Sequence, residues 1–375
     1  MEAEEFREQC AAKLLKLVEP ASHLRAFLGL DGFVDEIIHI VDKRESAESF
    51  QRLPTMTKFA ERIAAAAGKS TNIERVVERT KLGGNGPIMA NSLARFGIRV
   101  TYLGALGYPV MHPVFTEFAQ RAEVHSICEP GNTNALEFDD GKVMLTKTSH
   151  FSEITWPTIQ ARYSRDKFIE NFSTAQLVAF VNWTQVPYMT ELWAALLSEF
   201  CPNPSASRRK IFFDLADPEK RTAKDICRAV ELISTFEKYF EVIFGMNEKE
   251  AGEVGGALGL KARDRSREAL AQLSREIQKQ TGVSTVLVHP VTYALAVSKG
   301  SVSLVDGPYI AKPVITTGAG DHFNAGFCLG KLLGFDNEGS VLLGVTTSGY
   351  YVRYGQSPGI PEIVTMLRDW PEQDP

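Results

Sequence analysis

Short apolar runs alternate with stretches of helical period along most of the chain, and several of the runs stop at Gly, Asp or Asn. Six runs read as strands: Ala26 to Gly32, Val100 to Gly107, Leu177 to Trp183, Lys210 to Ala216, Glu241 to Asn247 and Ser284 to Pro290. Most lack strict alternation, the pattern of strands buried on both faces. Such strands separated by helices predict a doubly wound α/β fold, a mainly parallel sheet flanked by helices, with ligands gathered beyond the carboxyl ends of the strands.

Three segments break the pattern by mixing charge with β-branched residues: Glu36 to Arg44, Asn72 to Leu82, and Ala135 to Thr148, the last a hairpin candidate around Asp140-Gly141. They predict a small β-sheet lid over the site, contributed by about residues 36–50, 70–82 and 133–148 of one domain spanning 1–375. Between the first two, Phe59 to Lys69 reads as a helical insertion with no legible role.

Composition narrows the function. The 375 residues are 44% hydrophobic and 23% charged, ordinary for a globular protein, and net charge is −5 with no Lys/Arg block. A nucleic-acid partner therefore has no electrostatic footprint, and a small substrate is expected. Five cysteines are scattered without CxxC spacing, which suits reduced thiols and suggests no zinc site. The first twenty residues read as an acidic amphipathic helix, and no apolar run reaches signal-peptide or membrane length, so a cytoplasmic protein without a membrane partner is expected.

The chemistry concentrates at strand ends. In ITTGAGDHFNAGF, Ile315 to Phe327, two glycines flank an alanine before an apolar helix expected from Asp321. The amides of Gly318, Ala319 and Gly320 would sit at a helix N-terminus, where unpaired N–H groups and the macrodipole favour an anion. In LGGNGPIMANSLARFG, Gly83 and Gly84 make a turn and Asn85 takes the cap position, which could be purely structural. Asn247-Glu248-Lys249-Glu250 opens another helix, where the carboxylates serve either the helix dipole or, through Asn247 and Glu250, a hydrated magnesium ion. Asp31 and Asp35 follow the first strand, able to take substrate hydroxyls or to cap a turn. Gly68-Lys69-Ser70 imitates the end of a P-loop, but Ile63 stands where its leading glycine belongs, and a helix end is the better reading.

Together GGNGPIMANSLARFG, NEKE and TTGAGDHFNAGF resemble, in order and spacing, the motifs of the ribokinase-like (PfkB) carbohydrate kinases across most of the chain. The resemblance implies transfer of the γ-phosphate of ATP to a hydroxyl of a sugar or similar alcohol, with Mg²⁺ as cofactor. It makes Asp321 the general base and the Gly318, Ala319 and Gly320 amides the cradle for the transferring phosphoryl group. Asp35, Gly83, Gly84 and Asn85 would bind the acceptor, with Asp31 a secondary candidate. Asn247, Thr317, Gly318, Gly320 and His289 would meet the nucleotide, Asn247 and Glu250 would hold Mg²⁺ through water, and a homodimer could form through the lid.

Several positions depart from that pattern. Ile315 replaces an aspartate associated with a monovalent cation and carries no side-chain oxygen, so little activation by K⁺ is expected. His322 follows the catalytic aspartate, where a protonated ring could lower the carboxylate's pKa or the residue could simply pack or cap. His289-Pro290-Val291-Thr292 replaces a Gly-x-x-Gly turn, and Gly344 falls where a base-contacting asparagine is common. A nucleoside or vitamin-alcohol kinase of the same fold is the alternative, and a catalytically silent sugar- or nucleotide-binding protein is the competitor from another class.

Overall fold

The computed structural model describes residues 3–201, 208–261, 264 and 266–371. Fourteen strands are present among them: β1 (Arg25–Leu30), β2 (Phe33–Arg44), β3 (Phe50–Arg52), β4 (Arg75–Gly83), β5 (Arg99–Gly104), β6 (Glu123–Ser126), β7 (Gly131–Phe138), β8 (Gly141–Lys147), β9 (Leu177–Phe180), β10 (Lys210–Asp214), β11 (Glu241–Met246), β12 (Thr285–Val288), β13 (Tyr293–Ser298) and β14 (Ser301–Asp306).

Nine of them form the large sheet in the order β14-β13-β12-β11-β10-β9-β1-β5-β6. All pairs from β12 to β6 are parallel, and the pairs β12–β13 and β13–β14 are antiparallel, so β13 alone runs against the rest. Neighbouring positions on each strand feed opposite faces: Phe27, Val178 and Phe180 pack into one hydrophobic cluster, Leu28, Leu177 and Ala179 into another. The first cluster is covered by the helices Met189–Glu199, Ala223–Phe236 and Arg267–Thr281, the second by Ala3–Lys16, Asn85–Arg95, Ala319–Leu332 and Asn337–Tyr354. Burial on both faces explains the unbroken apolar runs.

From β1 the chain builds outward to β5 and β6, then returns to the other side of β1 through β9, β10 and β11. The topological switch point therefore lies between β1 and β9, where a doubly wound sheet opens a crevice.

The small sheet has the order β3-β2-β7-β8, with β4 also paired to β2. Its central strand β2 begins three residues after β1 ends, across Asp31 and Gly32. A Cβ on Gly32 would lie 2.1 Å from the carbonyl oxygen of Ala105, so the close approach that joins the two sheets requires glycine here. The sheet has a core of its own, Ile38, Ile40, Leu53, Leu136 and Phe138. The insertion, a helix over Met56–Ala65, packs Phe59 against Phe138 with ring centroids 5.4 Å apart. Gly68 follows that helix rather than a strand, so Gly68-Lys69-Ser70 is no P-loop.

β3, β6 and the β13–β14 hairpin are absent from the sequence-based reading. The hairpin did carry a signal: Lys299 and Gly300 both have positive φ (50° and 75°) between two β-rich runs, the backbone of a tight two-residue turn.

Candidate active site

The helix expected to begin at Asp321 begins two residues earlier, at Ala319, with Gly318 as its N-cap at φ 93°. That left-handed conformation resists any side chain. Asp321 becomes the third residue of the first turn and is only 6% exposed. The expected cradle changes in one respect. The Ala319 N–H donates to the Thr316 carbonyl at 3.1 Å, so it is committed within the turn, whereas the Gly320 and Asp321 amides have no acceptor inside the helix.

Asn85 does not cap its helix. Gly84, at φ 97°, is the N-cap, and the Asn85 side-chain amide instead donates to Oδ1 of Asp321 at 3.0 Å. Two motifs 236 residues apart thus meet at one carboxylate. Burial, followed by repulsion from the Asp214 carboxylate, raises the Asp321 pKa well above the ordinary value, and the Asn85 amide opposes the rise. A base of raised pKa accepts a proton more readily.

Asp214 is a site residue that the sequence reading passed over, although it ends the run KIFFD. Its oxygens accept from the Ala216 N–H at 2.8 Å and the Asn324 side-chain amide at 3.0 Å. Asn324 lies three residues beyond Asp321 on the same helix, close to the same face, so a polar residue in that apolar stripe was the available signal.

Asp31 has a structural setting that the sequence does not show. It is fully buried at the switch point, with Oδ1 accepting from the Gly86 N–H at 2.9 Å and Oδ2 from the Asn182 side-chain amide at 2.8 Å. The Tyr102 hydroxyl donates to its carbonyl at 2.7 Å. Through these bonds Asp31 ties β1 to the segment after β9 and to the GGNG turn, and each carboxylate oxygen keeps a lone pair beyond its structural partner. Burial pushes its pKa up to about 6 against those hydrogen bonds.

Asp35 sits on β2, opposite Lys81 of β4 and Thr133 of β7. Burial raises its pKa, while Lys81, the Thr133 hydroxyl and Lys142 favour the ionised form. A Cβ on Gly83 would fall 2.3 Å from Oδ1 of Asp35, so the absence of a side chain at 83 leaves the carboxylate its place. From the β7–β8 hairpin, Lys142 reaches the turn of the large domain, its ammonium donating to the Thr317 hydroxyl at 2.6 Å. The Thr317 side chain, expected at the nucleotide, is thus held by the lid.

Beside this cluster opens a cavity of about 320 Å³, lined by Asn247, His289, Tyr309, Ala319, Gly320 and Ser348 among others. Gly344 is not part of it: a Cβ there would lie 2.7 Å from the Phe323 ring, and Gly344 serves helix packing. His289 occupies the wall with Nε2 buried and without a hydrogen-bond partner, and burial lowers its pKa to about 4, leaving a neutral ring. His322 is also neutral, its pKa pushed down to about 4 by burial, so it packs and does not lower the pKa of Asp321 as a cation would.

Asn247 and Glu250 form a reciprocal capping box: the Glu250 N–H donates to the Asn247 side chain at 2.9 Å and the Asn247 N–H to Glu250 at 2.8 Å. The second Glu250 oxygen accepts from the Asp217 N–H at 3.0 Å. Among the described residues no group of three His, Cys, Asp or Glu side chains could enclose a metal ion. The donor set nevertheless fits a hydrated divalent cation held through water. Glu250 and Asp214 are buried carboxylates, burial and Glu250 raise the Asp214 pKa, and Oδ1 of Asn324 is buried without a partner.

A family profile described as prokaryotic ketohexokinase matches residues 2–370. A ketohexokinase from Haloferax volcanii is 30% identical over 341 residues, covering 90% of this chain and 89% of its own. Among solved structures, a ribokinase from Arabidopsis thaliana complexed with ribose and ATP has TM-score 0.63 at 16% identity, covering 92% of this chain and 98% of that one. Phosphofructokinase-2 from Escherichia coli has TM-score 0.62 at 12% identity, with coverage of 92% and 98%. At those identities the structural likeness concerns the fold.

Proposed function

The chain belongs to the prokaryotic ketohexokinase family, and from that premise we propose that it transfers the γ-phosphate of ATP to a hydroxyl of a ketohexose. The family makes it a sugar phosphotransferase of ribokinase-like fold. The observation that carries the finer reading is the meeting of Asp321, the Asn85 amide and a glycine-capped helix N-terminus beside the 320 Å³ cavity.

In this reading the cavity takes ATP, with the neutral His289 ring and the Gly320 amide facing it. The acceptor hydroxyl lies between Asp35 on the small sheet and Asp321 in the first turn of the helix Ala319–Leu332. Asp321 accepts its proton as the phosphoryl group transfers, and the Gly318 and Gly320 amides stabilise the developing charge. Little nucleophile activation is required, because phosphoryl transfer is loose and rests on positioning. Mg²⁺, held through water by Asn247 and Glu250, would neutralise phosphate charge. Lys142 draws the lid onto the turn and excludes water from the site. Exposed apolar side chains on the lid strands, Val77, Met144 and Leu145, support pairing of two copies through that sheet.

The test is ADP release with MgATP across ketohexoses, aldoses, sugar acids and nucleosides. Ketohexoses are expected to turn over fastest; preference for a nucleoside, or ligand-induced thermal stabilisation without turnover, would overturn the reading. Replacing tetramethylammonium by K⁺ is expected to change the rate less than about twofold, since Ile315 offers no side-chain ligand for the ion; strong activation would contradict this.

The raised Asp321 pKa also sets a pH dependence. The base works only when ionised, so kcat/KM should fall as pH drops through a pKa above the ordinary carboxylate value of about 3.9. An acid limb at or below about pH 4 would show that Asp321 is not the titrating base.

A further inference from the structure

We propose that His322 and Tyr351 are positioning residues that set the direction of the amides in the Thr316–Gly320 turn, through a hydrogen-bonded clamp on its two outward carbonyls. The inference rests on that turn being the phosphoryl cradle.

In a planar trans peptide the C=O and the N–H of one unit point opposite ways. Holding a carbonyl therefore aims the next residue's amide. The Tyr351 hydroxyl donates to the Thr317 carbonyl at 2.9 Å, which fixes the direction of the Gly318 N–H. Nδ1 of His322 lies 2.7 Å from the Gly318 carbonyl, which already accepts the His322 backbone N–H at 3.1 Å. That second contact fixes the Ala319 amide on the Thr316 carbonyl and, with it, the entry of the helix.

The chemistry of these atoms determines the tautomer. A carbonyl oxygen only accepts, so Nδ1 carries the proton. The ring is neutral, because burial holds its pKa at about 4. Nε2 is then an acceptor, and it takes the Ser357 hydroxyl at 2.8 Å. Ser357 is itself tied to the helix that bears Asn85, through Arg95 Nε donating to its carbonyl at 3.2 Å. The two clamping rings stack on each other, centroids 3.7 Å apart and planes 13° off parallel. Both rings are buried, His322 at 1% and Tyr351 at 7% exposure, and a Cβ on Gly318 would lie 3.3 Å from the Tyr351 hydroxyl, so the clamp needs glycine there. The clamp touches the back of the turn, so it acts on chemistry only through the direction of the amides.

Two near-isosteric substitutions separate this role from packing. The side-chain nitrogen of His322→Asn occupies the place of Nδ1 and keeps the bond to Gly318; that of His322→Gln occupies the place of Nε2 and keeps only the link to Ser357. Steady-state rates with MgATP and a ketohexose, with thermal midpoints, should be measured for both, beside His322→Phe and Tyr351→Phe. His322→Asn is expected to hold kcat within about threefold, while His322→Gln, His322→Phe and Tyr351→Phe lose about 10- to 100-fold in kcat with acceptor KM changed less than about twofold. Equal losses for Asn and Gln, losses that follow the thermal midpoints, or full kcat in Tyr351→Phe would overturn the proposal. No turnover in the unmodified protein would overturn the kinase reading and this proposal with it, whereas turnover without the Asn/Gln split overturns the proposal alone.

Discussion

Asp321→Asn is expected to lower kcat by about 10²- to 10⁴-fold, the usual contribution of a positioned general base, while thermal stability at neutral pH stays level or rises. The two effects have one origin. Asp321 is 6% exposed, and the carboxylates of Asp214, Asp31 and Glu250 all repel it. Its folded-state pKa lies above the unfolded value, so the native state binds the proton more readily, and the group's contribution to stability falls as pH rises between the two. An asparagine of the same shape removes that penalty and still offers an oxygen to the Asn85 amide. The gain should be present above the raised pKa, shrink as pH falls towards the unfolded value of about 3.9, and vanish below it, where the carboxyl is protonated in both states. Initial rates and melting curves at two pH values check the pair of outcomes. A kcat within tenfold of the unmodified protein would remove Asp321 from the role of base.

Asp35→Asn should act on the other side of the reaction, raising acceptor KM by about 10- to 100-fold and leaving the KM for ATP within about twofold, because a hydrogen bond to a charged group contributes about 1.5–3 kcal/mol. Asp35 lies on the lid strand β2, among Lys81, Thr133 and Lys142, while the cavity proposed for ATP is lined by residues outside the small sheet. Gly83→Ala should reproduce the same split without touching the charge, since its Cβ would arrive 2.3 Å from the Asp35 carboxylate and displace it. If both variants instead alter ATP and acceptor alike, Asp35 belongs to the integrity of the lid and not to acceptor binding.

Much of this arrangement was legible before any coordinates. The six core strands announced themselves because a strand buried on both faces has no polar positions to blur it. Gly84 and Gly318 were readable as turns because a positive φ leaves few other residues possible, whereas Gly83, read as part of the same turn, ends β4 and is kept bare by the Asp35 carboxylate. What escaped was pairwise. Asn85 looks like a cap in the sequence, and only the fold brings it to Asp321. Asp31 and Asp35 are indistinguishable as letters four positions apart, yet one faces Gly86 and Asn182 in the core and the other lies on the lid. Asp214 was hidden by its own strand, where a single polar residue at the carboxyl end reads as an ordinary stop. His322 could be read as cation or packing residue, and burial decided between them.

The short link at Asp31-Gly32 also bears on how the protein recognises its acceptor. Asp35 stands on the small sheet and Asp321 on a helix packed against the large one, and the two sheets are joined by two residues that close packing holds tightly. In the proposed binding mode a sugar held by both is a tether, and the free energy of its two contacts works against whatever separates the sheets. Selectivity is then partly a matter of span: a compound that satisfies one carboxylate but falls short of the other leaves the assembly unlatched, however well its own half fits. Competitive inhibitors built from acceptor fragments should therefore bind far more weakly than the sum of their parts, because the strength of the whole molecule lies in bridging.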